Sequence, residues 1–210
     1  MPFQGNVMRA IDTVVFDIGN VLIPWDPRWL LRKLLPDETA LERFMSETGF
    51  IQWHALHDAG QTFAHGIEIQ GAAFRQYRHL FQAYFERWEE TIAPPIQGCV
   101  SLARKLRTAG YRTLALTNFS AETFPRAIRL NPFLGEFEGI VVSGEEKMMK
   151  PEAAIYTLLC ERYAIQADRA VFIDDSLHNV EGARHIGMHA VHFKSVEQLH
   201  EDLHALGITV

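Results

Sequence analysis

Short apolar runs, each closed by polar or turn-forming residues, recur along the chain. The first, Thr13-Val-Val-Phe-Asp-Ile18, is rich in β-branched and aromatic residues and is followed by Gly19-Asn20. Such a run is typical of a strand that is buried on both faces of a sheet. The same pattern predicts further strands at residues 111–118, 139–143, 170–175 and 190–193.

Helical patterns separate these runs. Apolar residues at three- and four-residue spacing predict a helix over residues 96–109, which Gly110 ends. We expect Pro151 in the first turn of another helix, where its missing N–H costs no hydrogen bond. Ser195 and Gln198 have the spacing of a capping box and predict the start of the last helix. Strands that alternate with helices predict an α/β protein with a parallel sheet covered on both faces.

One long stretch interrupts this alternation. Between residues 27 and 92 there is no convincing strand pattern, and prolines mark both edges. We therefore predict a helical insert after the first strand, which leaves residues 1–26 and 93–210 to form the core. The segments with helical patterns in the insert are residues 30–35, 38–48, 50–59 and 72–88.

Aromatic residues are frequent in and beside the insert. Those at three- and four-residue spacing predict helix packing in a core: Phe74, Tyr77, Phe81, Tyr84 and Trp88. Trp25 and Trp53 are also candidates for the lining of a substrate pocket.

Composition excludes several functional classes. The chain has 210 residues, with 26 acidic and 20 basic side chains and a net charge of −6. Proteins that bind nucleic acid through phosphate contacts usually carry the opposite charge, so we predict no nucleic-acid partner. Two cysteines suit a reducing compartment. Residues 1–10 lack the apolar stretch of a signal peptide, and no run reaches the roughly 18 apolar residues of a membrane span. We expect a cytoplasmic monomer or homodimer with no membrane partner.

Polar residues follow the predicted strands at their carboxyl ends. Asp17 lies near the end of the first strand, Thr117-Asn118 close the second, and Asp174-Asp175 close the fourth. Lys150 follows the third. In open parallel sheets ligands bind outside these strand ends, so we expect the four groups to meet in one crevice. Each group alone also fits a turn or a helix cap.

The combined chemistry of the strand ends is more specific. Three carboxylates at one edge repel one another unless a cation lies among them, and oxygen ligands suit Mg²⁺. Lys150 supplies positive charge for phosphate oxygens, and Thr117 and Asn118 supply hydrogen-bond donors. An aspartate in this setting is equipped to attack phosphorus and to form an aspartyl-phosphate.

Four segments resemble, in order and spacing, the motifs of the haloacid dehalogenase-like hydrolase superfamily. They are Phe16-Asp-Ile-Gly-Asn-Val21, Leu116-Thr-Asn118, Lys150-Pro151 and Ile173-Asp-Asp-Ser176. The resemblance implies a Rossmann-like three-layer core with a helical cap inserted after the first motif. It is closest to bacterial phosphatases of small sugar phosphates and to the N-terminal phosphatase domain of soluble epoxide hydrolases.

The resemblance also implies a role for each motif residue. Asp17 is implied as the nucleophile and Lys150 as the group that stabilises charge. The phosphate binders implied are Thr117, Asn118 and Lys150. The implied ligands of Mg²⁺ are Asp17, Asp174, Asp175 and the backbone carbonyl of Gly19.

One position departs from the superfamily pattern. Phosphatases of this superfamily usually carry a second aspartate two residues after the nucleophile, as general acid and base, and here that position is Gly19. Loss of such a group costs on the order of 10²–10⁴ in rate. Asp26 is our candidate substitute, with His54 or His57 of the insert behind it. A water held by Asn20 or by the substrate is a further alternative.

The motif residues are compatible with three functions. The first is a Mg²⁺-dependent phosphatase that hydrolyses a small phosphorylated metabolite. The second is a 2-haloacid dehalogenase in which Asp17 attacks carbon, which Gly19 favours and the pair Asp174-Asp175 opposes. The third is a degenerate protein that binds a phosphorylated ligand or a partner without turnover.

Overall fold

The fold is built on a five-stranded sheet. A computed structural model describes residues 10–210. The strands pair in the order β3-β2-β1-β4-β5, and all neighbouring strands are parallel. All five predicted strands are confirmed, with ends shifted by one or two residues. They are β1 (Thr13–Phe16), β2 (Arg112–Thr117), β3 (Gly139–Val142), β4 (Ala170–Asp174) and β5 (His189–His192).

Helices cover the sheet and form the insert. Their bounds are α1 (Arg28–Leu34), α2 (Glu38–Thr48), α3 (Phe50–Asp58), α4 (Phe63–Ala73), α5 (Arg78–Glu86), α6 (Gln97–Thr108), α7 (Phe124–Leu130), α8 (Ser143–Glu146), α9 (Ala153–Tyr163), α10 (Leu177–His185) and α11 (Val196–Ala205). Short 3₁₀ turns lie at Arg75–Tyr77, Trp88–Thr91, Pro132–Glu136 and Ala167–Arg169.

The core has the three layers that the sequence predicts. Successive side chains of a strand point to opposite faces, and β1 shows this directly. Val14 and Phe16 pack in one hydrophobic cluster with α6 and α11, whereas Val15 packs in another with α9 and α10. The sheet is therefore covered by helices on both sides, which explains why its strands read as continuous apolar runs.

The insert has a hydrophobic core of its own. Its buried side chains come from α1 to α5 and from the 3₁₀ turn Trp88–Thr91, and they include Trp53, Phe81, Tyr84 and Trp88. The packing prediction for the aromatic residues is confirmed for Phe81, Tyr84 and Trp88, which are buried. Phe74 and Tyr77 pack against the same core while partly exposed. We call residues 27–92 the cap below, and the division at these residues stays our proposal.

One helix prediction in the cap was wrong, and one helix was not predicted. The expected helix over residues 72–88 is divided, because the chain reverses at Phe74 between α4 and α5. The helix α4 was missed, since glycines at 66 and 71 weaken its helical pattern. Gly66 is required by close packing: a Cβ there would lie 2.2 Å from Cε1 of His57.

The chain enters and leaves the cap through two adjacent segments. Trp25 and Ile92 form an isolated antiparallel bridge. The N–H of Asp26 donates to the carbonyl of Thr91 at 2.9 Å, and Ala93 donates to Pro24 at 3.0 Å. These backbone bonds connect the cap to the core at a single two-segment crossing.

Two smaller predictions concern the ends of helices. Pro151 is not in a first helical turn, because α9 begins at Ala153. Ser195 does cap α11 by accepting the N–H of Gln198. The Gln198 side chain reaches back to the N–H of Lys194.

The length and hydropathy of the helices bear on whether any of them could cross a membrane. Within residues 10–210, none is both long and apolar enough to cross a bilayer. The prediction that residues 1–10 carry no signal peptide falls mainly on residues 1–9, which lie outside the described residues.

Candidate active site

Three adjacent strands bring the predicted residues to one edge of the sheet. Asp17 directly follows β1, Thr117 ends β2 and Asp174 ends β4, and β1 lies between the other two. Lys150 arrives from the loop after α8. The structure thus brings together these four side chains, as expected from the carboxyl ends of parallel strands.

Lys150 is the buried cation of the site. Its Nζ lies 2.8 Å from Oδ1 of Asp17 and 2.7 Å from Oδ2 of Asp174, and it donates to the carbonyl of Leu116 at 3.1 Å. Burial alone would lower the pKa of Lys150, but the two carboxylates outweigh it and hold the pKa above the usual value. Lys150 is therefore a charged group fixed between Asp17 and Asp174.

Asp174 is held on both oxygens. Its Oδ1 accepts the N–H of Ser176 at 2.8 Å, and the side-chain amide of Asn179 lies 3.1 Å from each oxygen. From the sequence alone Asn179 could point at the site, but a helix surface is favoured, because one helical turn beyond an acidic pair also describes an ordinary exposed helix. The position of Asn179 in the first turn of α10, directly after β4, was the available signal.

The carboxylates form a compact acidic cluster. One oxygen each from Asp17, Asp174 and Asp175 lies within 4.8 Å of the others, and Asp175 is exposed. Burial, which outweighs the contact with Lys150, raises the pKa of Asp17 to about 8. One lysine is not enough to keep all three carboxyl groups ionised, so the donor set fits a hard divalent cation such as Mg²⁺.

The phosphate-binding candidates lie next to this cluster. The hydroxyl of Thr117 is buried, and its Oγ1 has no hydrogen-bond partner among the described residues. The amide of Asn118 donates to the carbonyl of Lys150 at 3.0 Å and accepts its N–H at 2.9 Å. An unpaired buried hydroxyl costs free energy unless a ligand satisfies it, so Thr117 fits a site for an anion's oxygen.

A cavity of about 250 Å³ opens between the core and the cap beside these residues. Gly19 and Asn118 line it from the core, and the cap contributes His54 and Asp58 of α3. Nδ1 of His54 lies 3.3 Å from Oδ2 of Asp58. The ring of His54 packs against that of Trp25, with centroids 4.7 Å apart.

The three candidates for the missing aspartate have different surroundings. The carboxylate of Asp26 accepts the N–H of Arg28 at 2.8 Å and is not part of the cavity lining. His57 is buried inside the cap, where its ring stacks on Phe63. Among these candidates His54 lines the cavity. Of the two pocket tryptophans, Trp25 lies in the lining and Trp53 is buried in the cap core.

One hydroxyl joins the cap to the loop that follows β2. Oγ of Ser143 donates to the carbonyl of Asp58 at 2.6 Å and accepts the N–H of Phe119 at 2.9 Å. Ser143 is fully buried. The end of α3 and the residues after Asn118 are therefore positioned by the same side chain.

Known proteins resemble this chain over different shares of its length. A sesquiterpene phosphatase of Aspergillus oryzae is 29% identical over 188 residues, which cover 85% of this chain and 87% of that protein. A haloacetate dehalogenase of Moraxella is 29% identical over 94 residues, covering 45% of this chain and 41% of that protein.

A solved structure shows the same fold. It is a haloacid dehalogenase family enzyme of Bacteroides thetaiotaomicron in complex with magnesium and inorganic phosphate. The two chains superpose with a TM-score of 0.67 at 24% identity, over 88% of this chain and 95% of the other. The profile of one family, described as haloacid dehalogenase-like hydrolase, matches residues 11–187. The chain belongs to the haloacid dehalogenase-like hydrolase family.

Proposed function

We propose that this protein is a Mg²⁺-dependent phosphatase that hydrolyses a small phosphorylated metabolite through an aspartyl-phosphate on Asp17. The observation that carries the proposal is the buried Lys150, whose Nζ contacts Asp17 at 2.8 Å and Asp174 at 2.7 Å within the acidic cluster. The similarity to a sesquiterpene phosphatase supports it, as does the fold shared with an enzyme that binds magnesium and phosphate.

The proposed Mg²⁺ ligands are the acidic cluster and one backbone group. They are Asp17, Asp174, Asp175 and the carbonyl of Gly19. A cation bound there would supply positive charge to offset the charge of the phosphate oxygens. The surplus of carboxylates over Lys150 is the feature of this chain that fits such a cation.

The reaction then proceeds in two displacements. A carboxylate oxygen of Asp17 attacks phosphorus, the bond from phosphorus to the ester oxygen breaks, and the alcohol leaves with a proton from a general acid. Water next attacks the phosphorus of the aspartyl-phosphate and gives a proton to the same group. Inorganic phosphate leaves, and the Asp17 carboxylate is restored. Lys150, the Thr117 hydroxyl and the backbone N–H of Asn118 bind and orient the phosphate oxygens throughout, since the Asn118 side chain is bound to the backbone of Lys150.

We assign the proton transfer to His54 in place of Asp26. His54 lines the cavity, and Asp58 is placed to orient its ring. The Asp26 carboxylate is instead engaged with the start of α1. We expect His54→Ala to lower kcat about 10²–10⁴-fold and Asp26→Asn to leave it nearly unchanged. The reverse result would return the role to Asp26.

A dehalogenase reaction is the second candidate. It is favoured by Gly19, because dehalogenation does not require the second aspartate, and by the similarity to a haloacetate dehalogenase. Against it stands the acidic cluster, since attack of Asp17 on carbon needs no divalent cation. A degenerate binding protein is the third candidate, and it predicts phosphate binding without turnover.

The experiment compares substrates of both reactions under the same conditions. Phosphate release from p-nitrophenyl phosphate should require Mg²⁺, stop in EDTA and vanish in Asp17→Asn. Asparagine matches the neutral form of Asp17 in shape, so this variant should still fold. Halide release from 2-haloacids without phosphate release would establish the dehalogenase. Calorimetric binding of inorganic phosphate without any turnover would establish the binding protein.

A further inference from the structure

Apolar side chains make up most of the lining of the cavity between core and cap. The cap and its entry segment provide Trp25, Ile51, Ala55 and Trp88, and the core provides Phe119 and Met149. The same cavity is bounded by Gly19 and Asn118 of the proposed phosphate site. The organic group of a bound phosphate ester would therefore extend from the strand ends into this apolar space.

The polar side chains that line the cavity either contact other polar groups of the protein already or have little surface exposed to solvent. His54 and Asp58 face each other, with Nδ1 and Oδ2 3.3 Å apart. The amide of Asn118 is bound on both sides by the backbone of Lys150. Thr123 is 1% exposed. A sugar entering the cavity would lose water from several hydroxyls and regain few hydrogen bonds, which costs binding free energy.

We infer that the substrate is a phosphate monoester of an apolar alcohol, with its hydrocarbon group held in this cavity. The inference rests on the proposed phosphatase function and narrows its substrate class. It differs from the sugar phosphates that the sequence resemblance implies. Ile51 adds support: it is a large apolar residue, 47% exposed, on the face of α3 that lines the cavity.

The test is a homologous series of n-alkyl phosphates from ethyl to hexyl, with glycerol phosphate and glucose 6-phosphate as polar comparisons. Burial of each added methylene should raise kcat/KM about fourfold until the cavity is filled. A kcat/KM independent of chain length, or a polyol phosphate turned over faster than hexyl phosphate, overturns the inference.

A binding measurement separates this inference from the phosphatase proposal. If no ester is hydrolysed, the proposed reaction fails, and calorimetry with n-alkyl phosphonates still decides the substrate class. A Kd that falls with chain length supports the apolar pocket, and a constant Kd overturns it.

A pair of variants on one helix locates the effect. Ile51→Ser removes an apolar side chain of the lining, whereas Leu56→Ser removes a comparable one, 50% exposed, outside it. We expect Ile51→Ser to lower kcat/KM for hexyl phosphate about tenfold, and that for ethyl phosphate less than twofold. Leu56→Ser should leave both unchanged. Equal effects of the two variants would place the hydrocarbon group elsewhere and overturn the assignment.

Discussion

Buried His57 makes the stability of the cap depend on pH. Its side chain is fully buried, its Nδ1 lies 3.1 Å from the carbonyl of Gln61, and its Nε2 has no partner among the described residues. The carbonyl can only accept, so Nδ1 carries the hydrogen and Nε2 is bare. A proton added to Nε2 would be buried without a hydrogen bond. Burial therefore lowers the pKa of His57 to about 4, because it outweighs the hydrogen bond to Gln61, which acts to raise the pKa.

The direction of the pH dependence follows from the protonation of His57 in the folded and unfolded states. Between pH 6.5 and pH 4 the unfolded chain holds a proton on this ring and the folded chain does not, so the free energy of unfolding falls as pH falls. The contribution of neutral His57 to the free energy of unfolding is complete above pH 6.5 and lost below pH 4. From pH 7.5 to pH 5 the difference amounts to about 2 kcal/mol.

The assay is urea unfolding of wild type and His57→Asn at these two pH values. Asparagine keeps a donor near Nδ1 and cannot titrate in this range. We expect the variant to be less stable at pH 7.5, because stacking on Phe63 is lost, but to lose about 2 kcal/mol less on acidification. The control variant His65→Asn, at an exposed position of α4, should lose as much unfolding free energy on acidification as wild type does. Equal losses in wild type and His57→Asn would refute the reasoning.

Three further predictions concern the packing around the site. Asn179→Ala removes the amide that holds both Asp174 oxygens and should lower kcat/KM about 10–100-fold with p-nitrophenyl phosphate; a change under twofold contradicts it. Gly66→Ala gains about 1 kcal/mol of helix propensity. It should nevertheless lower unfolding stability, because overpacking against His57 costs about 1–3 kcal/mol. Gly71→Ala in the same helix would place its Cβ 2.7 Å from Cγ of Arg78, whose exposed side chain can shift into solvent, so it should lose less unfolding stability; urea unfolding compares the two. Ser143→Ala should lower unfolding stability by about 1–3 kcal/mol, since it leaves buried backbone groups unpaired. An unchanged urea midpoint would show that water replaces the hydroxyl.

The sheet could be predicted from the sequence because its central strands β1, β2 and β4 are buried on both faces. A doubly buried strand is apolar at most positions and is followed by turn residues, so each central strand gives a nearly continuous signal. The convergence of Asp17, Thr117 and Asp174 then follows from parallel pairing alone. These are consequences of local composition and sheet geometry, which a single chain displays.

The cap was harder to predict because its packing involves distant residues. The helix α4 carries glycines where His57 and Arg78 approach its backbone, and nothing in the local sequence reports that approach. The pairing of His54 with Asp58 has helical spacing, but its place in the cavity depends on how α3 meets the core. Asn179 was likewise ambiguous until β4 and α10 fixed its direction.

The bridge made by Ser143 has a thermodynamic consequence. A single hydroxyl donates to the end of α3 and accepts from the loop beyond Asn118, so the docked cap and the ordered loop share one hydrogen-bonding group. Linkage between two such equilibria is reciprocal: the free energy by which a bound anion favours cap docking equals the free energy by which cap docking favours anion binding. Anion binding at the strand ends and closure of the cap over the apolar cavity would then be linked by one coupling free energy. A thermodynamic cycle with Ser143→Ala would measure it.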